Sequence, residues 1–234
     1  HAATDEARAG DALREEFRVL QSLKHDNIVQ VHELGVTDTN TPFYTMELLR
    51  GADLATKPNA LPASDILEAC CCGLDVLHGR GLVHSDLKPS YVFVTEQRLC
   101  KLMDFGLVQG HRSAAVEQPF GTLAYLPPER LSGFVEPDPR QDIFSLGAIL
   151  FEVLQGRAAF AGRTVAETLK SIQEVNLDKL LRDLQPNWRA LLSRMLAVDP
   201  GERFATAWEV LQTWRVRNDL DPPAPTTLDV FVGR

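Results

Sequence analysis

The chain is poor in positive charge, in cysteine and in long hydrophobic runs, and each shortage excludes a class of protein. Its 234 residues carry 24 lysine and arginine side chains against 32 aspartate and glutamate side chains, a formal net charge of −8. An acidic surface of this kind disfavours nucleic acid as the main partner. The longest largely apolar run, residues 143–154, is interrupted by Ser, Gly and Glu. It is too short to cross a bilayer, so we predict no membrane segment in this sequence.

The four cysteines form neither a disulfide framework nor a metal-binding pattern. Cys70, Cys71 and Cys72 are adjacent, and Cys100 stands alone. Adjacent cysteines on one helix point in different directions, and no histidines accompany them at the spacing of a zinc site. We therefore interpret all four as small apolar residues in a protein of the reducing cytoplasm.

Composition and the two ends of the chain bear on its domain organisation. The sequence is 44% hydrophobic and 24% charged, which is typical of a globular rather than a disordered chain. Its length suits one large domain or two small lobes with an ample core. It begins at His1 rather than at Met and closes on an apolar run from Val230, so we expect a piece of a longer protein.

Hydrophobic periodicity predicts a mixture of helices and short strands. The most apolar segment, residues 142–156, is hydrophobic nearly all round, which predicts a buried helix that ends at Gly156. The other predicted elements are a helix at 4–24 with Leu13, Phe17, Leu20 and Leu23 on one face, strands at 28–34 and 42–48, a buried helix at 62–78, and helices at 165–175, 188–196 and 205–214.

Two clusters of polar residues flank a predicted hairpin. The first, H-S-D-L-K-P-S-Y, contains Asp86 and Lys88, and the second, D-F-G, starts at Asp104. Two apolar runs lie between them, residues 92–94 and 99–103, separated by a polar turn. The loops before and after a hairpin lie at the same end, so we expect both aspartates to face one pocket with the lysine beside them.

Both clusters resemble the active-site motifs of the eukaryotic-like, or Hanks-type, bacterial serine/threonine protein kinases. In that family the catalytic loop reads H-R-D-L-K-P-x-N and the metal-binding loop reads D-F-G. Three more motifs follow in the family's order: P-P-E at 127–129, D-x-x-S-L-G at 142–147 and D-P-x-x-R at 199–203. The resemblance covers residues 4–218. It implies an α+β, protein-kinase-like fold with a partial small lobe and a mostly helical large lobe.

The resemblance implies a role for each polar side chain of these loops. Asp86 would orient the substrate hydroxyl and accept its proton, and Lys88 would steady the transferring phosphoryl group. Thr122 would contact the catalytic aspartate and help to seat the hydroxyl, as in the serine/threonine branch. Asp104 would bind Mg²⁺ that bridges the phosphates of ATP. The implied cofactors are therefore ATP and Mg²⁺, and the implied substrate is a protein.

The resemblance also implies a nucleotide pocket. Residues 46–53 are similar to the hinge between the lobes, where backbone groups of Glu47 to Leu49 would bond the adenine edge. Met46 would sit at the back of the pocket, and Asp53 could reach the ribose hydroxyls. Glu16 falls on the helix glutamate that pairs with a strand lysine. On local sequence alone Glu16 reads as a solvated surface charge, whereas the downstream motifs favour the family role.

Two further residues resemble structural rather than chemical elements of the family. Asp142 opens the segment that corresponds to the central helix of the large lobe, and its carboxylate would hold the backbone of the catalytic loop. Arg203, at the end of D-P-x-x-R, would form an ion pair with Glu129 of the P-P-E motif.

The sequence departs from the family pattern in ways that bear on activity. Ser85 stands where the family has Arg, and Tyr91 stands where it has the Asn that binds a second metal ion. No G-x-G-x-x-G occurs, and Lys24 is the only lysine before position 50, so the phosphate-covering loop and the strand lysine are missing. Both elements precede the first helix in the family, and we expect truncation rather than divergence to explain their loss.

Three interpretations remain open at this point. The chain is a serine/threonine kinase with a degraded catalytic loop, a pseudokinase that binds nucleotide or protein and regulates an attached domain, or a scaffold without a ligand. The scaffold explains the retained Asp86, Lys88 and Asp104 least well. Tyr91 is the residue that discriminates between the first two.

The expected domain division follows from the same resemblance. Residues 1–48 would be a remnant of the kinase N-lobe, 49–218 the C-lobe, and 219–234 a Pro- and Asp-rich linker with the start of a following domain. The closing F-V-G-R resembles the entry of AAA-type ATPase domains, so a covalently linked C-terminal ATPase or regulatory domain is an expected partner.

Overall fold

The structure is a computed structural model of the chain, and it describes residues 14, 17–39, 41–105, 120–132 and 135–221. At residues 120–122 and 132 it describes the backbone alone. Leu13, Glu16 and the side chain of Thr122, to which the sequence assigned positions or roles, lie outside the described residues.

A short helix and a two-stranded sheet open the described part of the chain. Helix α1, described at residues 17–22, buries Phe17 and Leu20 because residues three apart share a helix face. Strands β1 (Val31–Val36) and β2 (Pro42–Met46) then pair in antiparallel fashion. The two predicted strands are confirmed, and β1 begins three residues later than predicted.

A second, three-stranded antiparallel sheet carries the predicted hairpin. Its strands are β3 (Gly51–Asp53), β4 (Val92–Thr95) and β5 (Cys100–Leu102), in the order β3-β4-β5. The hairpin between β4 and β5 is thereby confirmed. The Val29 N–H donates to the Leu102 carbonyl oxygen at 2.9 Å, so the residues before β1 lie along β5 instead of extending β1.

Gly51 allows β3 to lie against β4. Its φ is +148°, a conformation that side chains rarely adopt, and a Cβ there would come within 2.0 Å of the Val94 carbonyl oxygen. Only glycine fits such an approach of two backbones. The chain therefore passes from residues 46–49 directly into the sheet that holds the β4–β5 hairpin.

Helices make up most of the remaining described chain. The predicted helices are confirmed to within a few residues at their ends, and the five-residue α5 was not predicted. The helices are α2 (Ala63–His78), α3 (Pro139–Gln155), α4 (Val165–Gln173), α5 (Leu177–Leu181), α6 (Pro186–Met195) and α7 (Ala207–Arg217). No helix in the described ranges has both the length and the apolar character needed to cross a membrane.

Helix α3 is the centre of the core. Every residue from 141 to 151 is buried, as its all-round hydrophobicity predicts. The helix starts earlier than predicted because the Asp138 side chain accepts the Arg140 N–H at 2.8 Å and Pro139 fits the first turn. It ends, as predicted, at Gly156, which adopts a left-handed φ of 67°.

The predicted ion pair between Arg203 and Glu129 is confirmed. Two guanidinium nitrogens of Arg203 donate to the two carboxylate oxygens of Glu129, each at 2.8 Å. The Arg203 side chain is completely buried and also donates to the carbonyl oxygens of Ala197 and Arg140 at 2.8 and 3.0 Å. The charge is therefore paired and its donors are satisfied, which is the condition for burying an arginine.

Breaking this pair is expected to be costly. Arg203→Met leaves the Glu129 carboxylate partly buried without its partner, and we expect the free energy of unfolding to fall by about 3–5 kcal/mol. Urea denaturation measures the change. Lys170→Met is the control, since the Lys170–Glu174 pair is exposed and its loss should cost about 0–1 kcal/mol. Equal effects of the two substitutions would contradict the structural role of the buried pair.

Candidate active site

The Asp142 carboxylate anchors the loop that carries Asp86. One of its oxygens accepts the Ser85 N–H at 2.9 Å, and the other accepts the His84 N–H at 2.8 Å and lies 2.9 Å from His78 Nε2. Burial alone would raise the pKa of Asp142, but the hydrogen bonds from His78 and the His84 backbone lower it. The carboxylate therefore stays ionised in the core, and the predicted contact with the catalytic loop is confirmed.

Two backbone positions beside the reactive groups adopt the left-handed conformation without being glycine. Ser85 has a φ of 65° and Asp104 has a φ of 57°. Such conformations persist only where the surroundings fix them, and they concentrate at functional sites. At Ser85 the surroundings include Arg130, whose guanidinium Nη1 donates to the Ser85 carbonyl oxygen at 2.9 Å.

Asp86 and Lys88 form an ion pair at the start of the hairpin. Lys88 Nζ donates to Asp86 Oδ2 at 2.9 Å, and both side chains are largely buried. The same ammonium lies 4.2 Å from the centre of the Tyr91 ring, a cation–π contact. Burial alone would lower the pKa of Lys88, but the Asp86 carboxylate, together with Tyr91, more than offsets this and raises it. Lys88 is therefore cationic at neutral pH.

Tyr91 lies beside this ion pair and near Asp104. The Lys88 ammonium and the Asp104 carboxylate are both close enough to the Tyr91 hydroxyl to shift its pKa, in opposite directions. Burial and the Asp104 carboxylate raise the pKa of Tyr91 despite the opposing effect of Lys88, so the phenol is neutral at pH 7. Because Val92 pairs with Leu102 in the hairpin, the segments that carry Asp86 and Asp104 enter and leave the sheet at the same end.

His84 and Phe105 are buried close to Asp86 and Asp104 in the chain and pack against each other. The His84 ring is fully buried, and its Nε2 lies 3.1 Å from the Met103 carbonyl oxygen. Its ring centre is 5.1 Å from that of Phe105, which is also fully buried. The residue before Asp104 and the residue after it are therefore both fixed to the catalytic loop.

The segment that resembles the hinge is held by one carboxylate. Glu47 accepts the Gln30 N–H and the Lys101 ammonium, each at 2.8 Å, and its own N–H donates to the Gln30 carbonyl oxygen. Burial alone would raise the pKa of Glu47, but Lys101 and the Gln30 N–H lower it. Among the backbone hydrogen bonds of the described residues, none uses the Glu47 carbonyl oxygen or the Leu49 N–H. These two groups can meet a ligand.

Other sequence-predicted residues stand at or near this segment. Met46 ends β2 and is half-exposed, and Asp53 ends β3. One oxygen of the Asp53 carboxylate accepts the Thr56 N–H at 2.7 Å and so closes a turn. The backbone of Thr122 lies in a 3₁₀ turn, Phe120–Tyr125, that precedes the P-P-E motif.

The site offers one suitable ligand for a divalent cation. Asp104 is exposed and presents a carboxylate, a hard oxygen ligand that suits Mg²⁺. Tyr91, in the position of the family's second ligand, offers only a neutral phenol. The described residues contain no group of three His, Cys, Asp or Glu side chains that could hold a metal ion by themselves.

Sequence reasoning missed three residues of the site, namely His78, Lys101 and Arg130. Each acts across a long stretch of chain, on Asp142, Glu47 and Ser85 respectively. The only available signal was the rarity of lysine, because Lys101 lies in an otherwise apolar strand where a charge needs a partner.

Acid should weaken the anchor formed by Asp142. The pKa of Asp142 in the folded protein lies below that of an unfolded aspartate, which is about 3.9. Its contribution to the free energy of unfolding is therefore complete above about pH 3.9 and is lost as the pH falls through the folded-state pKa. Asp142→Asn is expected to lower the free energy of unfolding at pH 7. Below about pH 4, the free energy of unfolding of this variant should fall less steeply with decreasing pH than that of the wild type. Urea denaturation across this range measures both effects. The exposed Asp183→Asn variant should retain the wild-type slope, and an unchanged slope in Asp142→Asn would contradict the expectation.

Comparisons with known proteins agree with the geometry. The family profile described as protein kinase domain matches residues 1–214. The chain is 31% identical over 231 residues to serine/threonine-protein kinase PknA of Mycobacterium tuberculosis, covering 92% of this chain and 53% of that protein. It is 30% identical over 234 residues to serine/threonine-protein kinase PknB of Mycolicibacterium smegmatis, covering 92% of this chain and 37% of that protein.

The chain thus spans about half the length of PknA and less of PknB. The family profile nevertheless covers the described helices α1 to α6, both sheets and every residue of the site. The predicted α+β kinase fold is confirmed, and the chain belongs to the protein kinase domain family.

Proposed function

We propose that this chain is the kinase domain of a serine/threonine protein kinase that transfers the γ-phosphoryl group of ATP to a protein hydroxyl. The observation that carries the proposal is the catalytic loop. Its Asp86 is paired with Lys88 at 2.9 Å and stands on a backbone fixed by Asp142. The names of PknA and PknB support the choice of serine and threonine as acceptors.

In the proposed reaction Asp86 orients the acceptor hydroxyl and takes its proton. The hydroxyl oxygen forms a bond to the γ-phosphorus while the bond from that phosphorus to the bridging oxygen breaks, and ADP leaves. Lys88 holds its positive charge beside Asp86 and steadies the phosphoryl oxygens, since its raised pKa keeps it protonated. Thr122 is proposed to seat the acceptor hydroxyl.

Asp104 is the proposed ligand of Mg²⁺. Its carboxylate is exposed, and it lies near enough to the Tyr91 hydroxyl to raise the pKa of Tyr91. When bound, Mg²⁺ would neutralise charge on the phosphates of ATP. Because Tyr91 lacks the amide oxygen of the family's Asn, the proposal assigns one protein carboxylate, and not two protein ligands, to the metal.

The nucleotide base is proposed to bind along residues 46–53. The Glu47 carbonyl oxygen and the Leu49 N–H are the acceptor and donor that face the adenine edge, with Met46 behind them. The free oxygen of Asp53 is left for the ribose hydroxyls. Glu16 keeps its proposed role as the partner of a strand lysine that this sequence does not contain.

A pseudokinase is the second candidate, and Tyr91 is the observation that favours it. The phenol ring lies 4.2 Å from the Lys88 ammonium, and its hydroxyl is near enough to the Asp104 carboxylate for Asp104 to raise its pKa, so Tyr91 neighbours both groups that would act on the phosphates. In that case the chain binds nucleotide or protein and regulates an attached domain without transferring phosphate.

The remaining expectations on partners and organisation stay proposals. We propose a small-lobe remnant at 1–48, a large lobe at 49–218, and a linker at 219–234 that leads into an ATPase or regulatory domain. The proposed partners are ATP and a protein substrate. The cytoplasm remains the proposed compartment, since all four cysteines are free thiols.

Replacement of Tyr91 tests the proposed activity. In the full-length protein, Tyr91→Asn supplies the missing amide oxygen and is expected to raise kcat for γ-phosphate transfer by up to roughly 10²-fold. Transfer from radiolabelled ATP to the protein itself and to a serine- and threonine-containing peptide measures the change. Tyr91→Phe is the matched control, because it removes the hydroxyl without adding a ligand and should give no such rise.

The outcomes separate the two candidates. Transfer by the wild type that is abolished in Asp86→Asn supports the kinase. If neither the wild type nor Tyr91→Asn transfers phosphate, the kinase proposal fails and the pseudokinase stands.

The ion pair at the hinge predicts a separate effect on nucleotide binding. Lys101→Met removes one of the two donors to the Glu47 carboxylate and should loosen the segment at residues 46–49, so we expect KM for ATP to rise about tenfold with little change in kcat. Steady-state kinetics, or fluorescence titration with a labelled nucleotide, measures the change. Lys57→Met, at an exposed position, is the control. Unchanged nucleotide affinity in Lys101→Met would exclude a role for this pair in the hinge.

A further inference from the structure

Ser85 has a backbone conformation that its own side chain does little to stabilise. The residue directly before Asp86 has a left-handed backbone, which costs free energy for any residue but glycine. Its own side chain contributes only a long hydrogen bond, from Oγ to the Val83 carbonyl oxygen at 3.4 Å. Other parts of the fold must therefore hold this backbone in place.

Two charged side chains hold Ser85 from different elements. Asp142, on α3, accepts its N–H at 2.9 Å. Arg130, in the 3₁₀ turn Pro128–Ser132, donates to its carbonyl oxygen at 2.9 Å. Both polar groups of the Ser85 backbone are thus engaged by ionised partners, which make the stronger class of hydrogen bond.

The second of these bonds bears directly on Asp86. The carbonyl of Ser85 and the backbone nitrogen of Asp86 belong to one planar peptide group. An arginine that fixes the carbonyl oxygen therefore fixes the plane from which the Asp86 side chain leaves the backbone. The carboxylate, paired with Lys88, then has a defined direction toward the acceptor hydroxyl.

Arg130 is itself held in place by its neighbours. Its N–H donates to the Pro127 carbonyl oxygen at 3.0 Å, and the preceding Glu129 is gripped by the buried Arg203. The guanidinium cannot lose its proton in a protein and has five donors in a rigid fork. The contact with Ser85 thus links the residue after the P-P-E motif to the catalytic loop through a group that keeps its charge at every physiological pH.

We propose that Arg130 is a positioning residue for Asp86, which it aligns through the Ser85–Asp86 peptide in a loop whose own arginine has been replaced by serine. The inference rests on the proposed function for its catalytic consequence. Its structural part, the ordering of residues 83–88 by Arg130, holds for a kinase and for a pseudokinase.

Substitutions of Arg130 in the full-length protein test the inference with two readouts. Arg130→Met is expected to lower kcat by about 10- to 100-fold with KM for ATP within twofold, because alignment and not binding is lost. Hydrogen–deuterium exchange should become faster in peptides that cover residues 83–88 and remain unchanged in α6 and α7. Arg130→Lys, which retains the charge and one donor, should recover part of both losses.

Arg182→Met is the matched control, since this arginine is 68% exposed and, within the described part of the chain, pairs only with the adjacent Asp183. It should leave kcat and exchange at the wild-type values. If Arg130→Met leaves exchange in residues 83–88 unchanged, or accelerates exchange throughout the chain as a general loss of stability would, the inference is overturned. If Arg130→Met does not fold, Arg130→Lys decides by the same local exchange.

The same design separates this inference from the proposed function. Absence of phosphate transfer in the wild type and in Tyr91→Asn would refute the kinase proposal alone. Faster local exchange in Arg130→Met would then still support the positioning role, and unchanged exchange would overturn it.

Discussion

The site depends on the hydrogen bonds that the buried carboxylate of Asp142 accepts. This carboxylate is an ionised group inside the core, and it is tolerable there only because two backbone N–H groups and His78 surround it. In satisfying its own charge it fixes the peptides that precede Asp86. Helix α3, hydrophobic on every side, supplies the rigid support from which the carboxylate acts. The same hydrogen bonds therefore stabilise the core and place the catalytic loop.

A phenol stands beside both polar clusters of the site. Tyr91 packs against the Lys88 ammonium and lies near the Asp104 carboxylate without carrying charge. This arrangement has two opposite effects on phosphate chemistry. The cation–π contact supports the Lys88 side chain before any ligand binds, yet the neutral phenol supplies no amide oxygen for a second cation. The balance between these effects distinguishes the two proposed functions, and it depends on a single side chain.

Much of the fold follows from local sequence, whereas several contacts of the site do not. The buried helix at 142–156 and the hairpin before Asp104 were predictable, because periodicity and turn chemistry are local properties. The Arg203–Glu129 pair was predictable only through motifs of a known family. The contacts of Lys101 with Glu47 and of Arg130 with Ser85 join residues 54 and 45 positions apart, and no local pattern pairs them. The five-residue helix α5 is too short to give a periodic signal.

The close packing of Gly51 against Val94 has a consequence for ligand selection. The segment that contains Glu47 and Leu49 runs directly into β3, and β3 is pressed onto the hairpin that ends at Asp104. Under the proposed function, the contact surface for the base lies just before β3 and the ligand of the metal just after β5, so one three-stranded sheet connects them. The protein therefore sets the distance between the base-binding segment and Asp104. The sheet would favour nucleotides whose base and phosphates span that distance.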